Sequence, residues 1–106
     1  MAWFRRRKDP GGDRDRDAYR ADVEHLEQFA QSRYGVEAYL EPKTAVTETT
    51  VVFIAHDGEW TRRRVESAEA AHQLGHRLGI PVYDVGLVGY PNRMREYNAR
   101  QRRAES

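Results

Sequence analysis

Apolar and polar positions along this chain follow two rhythms, and the rhythms predict its elements. From about Asp13 to Tyr34, the residues Tyr19, Val23, Leu26 and Ala30 recur at intervals of four, three and four, with Phe29 beside them. That spacing makes one apolar stripe on a helix. Aspartates near its start suit the positive end of the helix dipole, and Gly35 supplies a stop. Val36, Ala38 and Leu40 then alternate with Glu37, Tyr39 and Glu41, which predicts a first strand ended by Pro42. A second strand is expected from about Thr47 to His56, a third from Glu59 to Val65 and a fourth from Pro81 to Val88. Between the last two, Ser67 caps a helix from Ala68 to Leu78 that Gly79 closes, with Ala71, Leu74 and Leu78 facing inward. Asn92 is expected to cap a final helix on which Met94, Tyr97, Gln101 and Ala104 share a face.

The order α-β-β-β-α-β-α predicts a single α+β domain over residues 13–104. It is an antiparallel three-stranded meander with an added fourth strand and helices packed on the sheet. A right-handed crossover makes the fourth strand parallel to the third. Residues 1–12, closed by Pro10-Gly11-Gly12, carry neither rhythm and read as a flexible basic lead-in.

Asp57-Gly58 is the sharpest local signal. A two-residue Asp-Gly loop between strand-like runs predicts a type I′ hairpin. His56 then opposes Glu59, Ala55 opposes Trp60, Phe53 opposes Arg62 and Val51 opposes Arg64. On that register one face carries Val51, Phe53, Ala55, Trp60, Arg62 and Arg64, and the other carries Val52, Ile54, Val65, His56, Thr61 and Arg63. Both faces are partly apolar, so both should be partly covered.

Composition narrows the function classes. The chain has 106 residues, 18 basic and 17 acidic, for a formal charge of +1. A uniformly basic nucleic-acid coat is thereby excluded. With no cysteine, disulfides, thiolate catalysis and cysteine-ligated metals are excluded as well. The longest apolar run, Val51 to Ala55, is far short of a membrane span, and a cytoplasmic location without a stable membrane anchor is expected. Charge is unevenly placed in this arginine-rich chain. Arg5-Arg6-Arg7-Lys8 opens it, residues 18–90 are acidic on balance, and residues 91–106 hold five arginines against two glutamates.

Candidate chemistry is sparse. Trp60 and Phe53 flanked by Arg62 and Arg64 could stack unpaired bases and neutralise phosphates, or anchor a subunit interface. Arg93 and Arg95, with Arg100, Arg102 and Arg103, add a basic C-terminal helix. His72 and His76 stand four apart on one helix, the spacing that lets two imidazoles reach one metal, with His25 or His56 as a third ligand. Gln73 follows His72, so the zinc-protease pattern is incomplete. The element order resembles restriction-type nuclease cores, which need an acid-x-lysine pair on the third strand. Thr61 stands in the lysine's place. It also resembles a double-stranded-RNA-binding domain, whose second helix opens on lysines; here that helix opens Glu66-Ser67-Ala68-Glu69. Gly86-Leu87-Val88-Gly89 lacks the third glycine of a dinucleotide fingerprint. No catalytic constellation is found, and no cofactor is implied by a motif.

Longer strings carry a resemblance. They are Tyr34-Gly35-Val36-Glu37-Ala38-Tyr39, Glu41-Pro42, Thr47-Glu48-Thr49-Thr50-Val51-Val52 and Ala55-His56-Asp57-Gly58-Glu59-Trp60-Thr61-Arg62-Arg63-Arg64. Gly79-Ile80-Pro81-x-Tyr83-Asp84, Val88-Gly89-Tyr90-Pro91-x-Arg93-Met94-Arg95 and Asn98-Ala99-Arg100-Gln101-Arg102 continue them. Over about residues 15–103 the chain resembles a family of short actinobacterial proteins whose members often carry an automatic oxidoreductase label. The resemblance implies a small redox or ligand-binding protein, and the aromatic faces of Trp60 or Tyr83 could accept a flavin or quinone. The residues themselves point instead to a non-catalytic interaction module. Its partner is nucleic acid, another protein or a second copy, bound through Trp60, Arg62, Arg64, Arg93 and Arg95.

Overall fold

In the computed structural model, which describes residues 10–105, the first helix α1 spans Pro10–Gln31. It begins earlier than the aspartates suggest, because proline is tolerated in a first turn where no intrahelical N–H bond is needed. Pro10-Gly11-Gly12 thus belongs to the helix, and the rest of the expected lead-in lies outside the described residues. The helix also ends before Tyr34. Ser32 donates from both its N–H and its hydroxyl to the Gln28 carbonyl, at 3.0 and 2.7 Å, and the chain turns at Gly35.

The other elements are β1 (Glu37–Glu41), β2 (Thr50–Ile54), β3 (Trp60–Arg64), α2 (Ala68–Leu78), β4 (Val82–Asp84), α3 (Val85–Val88) and α4 (Asn92–Glu105). They form a single α+β unit around a four-stranded mixed sheet of order β3-β2-β1-β4. β2 is antiparallel to both neighbours and β4 is parallel to β1, so β4 also runs in the direction of β3. It lies on the opposite edge, however, and the β3-α2-β4 connection passes over β2 and β1. Ser67 caps α2 by accepting from the Ala70 N–H at 3.0 Å. Its C-terminus closes with Gly79 N–H to His76 O and Ile80 N–H to Gly75 O, a Schellman motif around left-handed Gly79.

Two expectations are corrected. The strand expected from Pro81 to Val88 stops at Asp84, whose carboxylate accepts from the Gly86 N–H at 2.7 Å and starts the single turn α3. The hairpin is not type I′. Its loop has three residues, His56-Asp57-Gly58, with Gly58 N–H to Ala55 O at 2.9 Å and Ala55 N–H to Glu59 O at 2.8 Å. Positive φ occurs at glycines alone among the described residues, so Asp57 cannot adopt the primed turn. A type I turn followed by a left-handed glycine bulge takes its place, with Gly58 at φ 94°.

The extra loop residue moves the register by one, and a shift of one exchanges the faces. Ile54 pairs with Trp60, Val52 with Arg62 and Thr50 with Arg64, whereas Phe53 pairs with Thr61 and Val51 with Arg63. The expected Ala55–Trp60, Phe53–Arg62 and Val51–Arg64 pairs do not form. Ala38, Leu40, Val51, Phe53 and Ala55 therefore point together toward α1 and α2, where they pack with Leu26, Phe29, Ala71 and Leu74. Gly75 lets β4 approach α2, since a Cβ there would come within 2.3 Å of Val82 Cγ2. On the opposite face Tyr39, Val52 and Ile54 meet Met94 of α4, with Trp60 and Tyr90 beside them.

Candidate interaction site

Trp60, Arg62 and Arg93 converge on the face that carries α4, and the convergence starts from the hairpin loop. Gly58 serves two geometric needs there. Its φ is left-handed, and a Cβ at this position would stand 2.0 Å from the Arg93 carbonyl oxygen and 2.8 Å from Tyr97 Cβ. The backbone of α4 thus rests directly on the loop, and only glycine leaves the room.

Polar contacts fix the helix around this point. Arg93 donates from Nε to the Ala55 carbonyl at 2.9 Å and from Nη2 to Glu37 Oε1 at 2.7 Å. The Trp60 indole N–H donates to Asn98 Oδ1 at 2.8 Å, and Arg100 donates to the Asp57 carbonyl at 2.7 Å. Asn92, expected as a cap, is instead the first residue of α4, and its amide nitrogen donates to Glu96 Oε2. Beneath the helix Met94 is buried against Tyr39, Val52 and Ile54.

Beside Trp60, Arg62 forms a two-pronged pair with Glu41 at 2.8 and 2.9 Å, and its guanidinium carbon lies 5.3 Å from the indole centroid. Glu41 also accepts from the Thr50 hydroxyl at 2.6 Å and from the Tyr90 hydroxyl. Burial pushes the Glu41 carboxyl upward, but the bonds from Arg62, Thr50 and Tyr90 outweigh it and hold the group below the usual carboxylate range. The same burial, with Glu41 as neighbour, raises Tyr90, and burial with Glu37 as neighbour raises Tyr39.

Arg64 does not join this group. It wraps round the free edge of β3 to Glu48 at 3.2 Å and Asp22 at 3.6 Å, with its guanidinium 5.4 Å from the Tyr19 ring. Arg95 is exposed and donates from Nη1 to the Tyr90 carbonyl at 3.5 Å. Of the surface expected to face a partner, Trp60 is bonded to α4 through Asn98, Arg62 is exposed and paired with Glu41 of β1, and Phe53 is buried on the other face of the sheet. What α4 leaves outside is its far side. Arg95 is exposed, and so is every residue from Gln101 to Glu105, including Arg102 and Arg103. On a helix of 3.6 residues per turn, Arg103 falls opposite Met94, and Arg95 and Arg102 fall about 100° and 80° from it, on the flank turned away from Arg93 and Arg100.

The remaining candidates stay apart. His72 and His76 are exposed on α2, and among the described residues no group of three or more His, Cys, Asp or Glu is placed to hold a metal ion. His25 lies on α1, beside β3 on the same face of the sheet, its Nε2 2.7 Å from the Thr61 hydroxyl. Burial, helped by Arg63 and opposed by Asp22, lowers its pKa. His56 sits in the hairpin loop beside Tyr34. Glu59, one of the two acids near the turn, is held by Arg33 at 3.0 and 2.8 Å.

Sequence reasoning missed Glu41, Asn98 and Arg33 as partners. A buried indole N–H does need an acceptor, so Trp60 alone signals that one exists. Nothing local points 38 residues onward to Asn98. Compared with family models, curated proteins and solved structures, the chain matches none. Among the described residues no helix is long and apolar enough to cross a membrane.

Proposed function

We propose that this protein is a non-catalytic interaction module that binds a macromolecular polyanion, nucleic acid in the first instance, through the outer face of α4. The observation that carries the reading is the division of labour along that helix. Arg93, Met94, Tyr97, Asn98 and Arg100 contact the hairpin or the sheet, while Arg95, Arg102 and Arg103 stand on an exposed surface. Guanidinium groups are suited to phosphate because they present paired donors and stay charged at any working pH. On this reading the hairpin positions the helix, and Trp60, Arg62 and Arg93 are positioning residues.

The test is fluorescence anisotropy of a labelled single-stranded oligonucleotide titrated with the full chain at several salt concentrations. Three phosphate contacts give a log–log slope of about −2 for single strands. Replacing Arg95, Arg102 and Arg103 together by alanine should abolish that slope along with the binding. Binding that is absent at low salt, or that survives the triple replacement unchanged, contradicts the reading. A chromophore retained at one per chain through purification would contradict it too, and would favour the ligand-binding protein that the sequence resemblance implies.

A further inference from the structure

α1 and β3 lie side by side, and polar pairs join them as rungs. Arg33, two residues past α1, holds Glu59 at 3.0 and 2.8 Å, His25 meets Thr61 at 2.7 Å, and Asp22 meets Arg63 at 3.5 Å. His25, Gln28, Phe29 and Ser32 are spaced to share one face of the helix. Glu59 and Thr61 alternate along the strand with Trp60, whose side chain packs on the α4 face. The interval between the first two rungs is left underfilled. A cleft of about 630 Å³ opens there, lined by both rungs and by Gln28, Phe29 and Trp60. That is the size of a small-molecule site.

The lining decides what fits. Arg33 and Glu59 are its only fully charged side chains, and they neutralise each other, so an ion finds no unpaired opposite charge. Gln28, Gln31, Ser32 and Thr61 are uncharged and can both donate and accept, and the lowered pKa of His25 adds a neutral imidazole. The Arg33 guanidinium carbon stands 4.2 Å from the Phe29 ring centroid. One face of that flat group is thus covered. The other, in a side chain 34% exposed, is open to a second ring.

We infer that this cleft binds an uncharged, planar heteroaromatic ring of the nucleobase class, stacked on the Arg33–Glu59 pair with its polar edge toward Gln28 and the His25–Thr61 rung. Nucleobases join a flat π face, on which guanidinium planes stack, to an edge of donors and acceptors. A sugar lacks the flat face, and a hydrocarbon ring lacks the polar edge. The base arrives either on a free nucleoside or in a single strand. The site is built by α1 and β3 and does not rest on the arginines of α4.

Titrating the isotope-labelled full chain with adenosine, guanosine, cytidine and uridine in turn, and following backbone amide shifts by NMR, tests this. At least one nucleoside should give saturable shifts centred on His25, Gln28, Arg33 and Thr61, and ribose should give none. Gln28→Ala and Thr61→Val should each raise the dissociation constant about three- to tenfold. Gln28 is exposed, so its replacement leaves the fold intact, and Gln73→Ala on α2 should leave binding unchanged. A single-stranded oligonucleotide that moves the same amides at lower concentration assigns the base to a strand. One that leaves them unmoved while a nucleoside binds assigns it to the free nucleoside. Absence of saturable shifts with every nucleoside into the millimolar range overturns the inference. So do equal shifts with ribose, or binding that neither Gln28→Ala nor Thr61→Val weakens. Nucleosides carry no phosphate, so such a failure leaves the α4 reading untouched.

Discussion

The two faces of the sheet are held by different physics. The face toward α1 and α2 is a dry core of eleven buried residues, from Leu26 and Phe29 through Phe53 to Leu74. The face toward α4 buries four, Tyr39, Val52, Ile54 and Met94, and relies on directed polar contacts at its margin. Burial of apolar surface is strong and tolerant of small shifts. Hydrogen bonds such as Trp60 to Asn98 and Arg93 to Ala55 contribute less each, but they fix an angle and a height. The first face therefore makes the domain stable, and the second sets where α4 points. On the proposed reading, a helix that binds a partner through its outer residues needs orientation more than it needs deep burial.

That contrast can be broken from either side. The largest effect is expected from Phe53→Ala, which empties the centre of the dry face. A loss of about 3–5 kcal/mol in urea unfolding is expected, enough to unfold much of the population in a domain of this size. Gly58→Ala should act more locally. Its left-handed φ and the Arg93 carbonyl both exclude a Cβ, so α4 should lift while the first face holds. A destabilisation of about 1–3 kcal/mol is expected, with loss of the Trp60 fluorescence environment preceding loss of the sheet's circular dichroism.

The smallest effect sharpens the comparison through pH. Glu41 has a lower pKa folded than unfolded, so the unfolded chain takes up its proton first as acid is added. Its contribution is complete above the ordinary carboxylate range and is lost as the pH falls through the depressed folded value. Glu41→Gln should lower the thermal midpoint modestly at pH 7 and flatten its decline in acid. If the acid slope is the same in the variant, the Glu41, Arg62 and Tyr90 cluster contributes nothing to stability.

Much of the fold was legible in the sequence because it is written locally. The Tyr19, Val23, Leu26 and Ala30 stripe, the Val36 to Leu40 alternation and the Ser67 and Gly79 caps each need only a few neighbours to be read. The hairpin was misread for an equally local reason. Asp-Gly suits both a two-residue primed turn and the end of a three-residue loop, and which one forms depends on the loop's packing under α4. The run from Val82 to Val88 looks like one strand until the Asp84 carboxylate turns back on Gly86. Of Trp60, Arg62, Arg64, Arg93 and Arg95, three lie together on the face that carries α4, but whether such a group faces a partner or the chain's own helix is decided by contacts tens of residues apart.

Native-state hydrogen exchange tests the central claim most directly, because it reads the two faces separately in one sample. The account predicts that amides of α4 from Tyr97 to Arg100 exchange through an opening that costs clearly less free energy than exposure of Val52 and Phe53. The α4 opening should also show a smaller dependence on urea. Equal opening free energies for α4 and β2, with equal urea dependence, would make α4 part of one cooperative core and contradict the division between the faces.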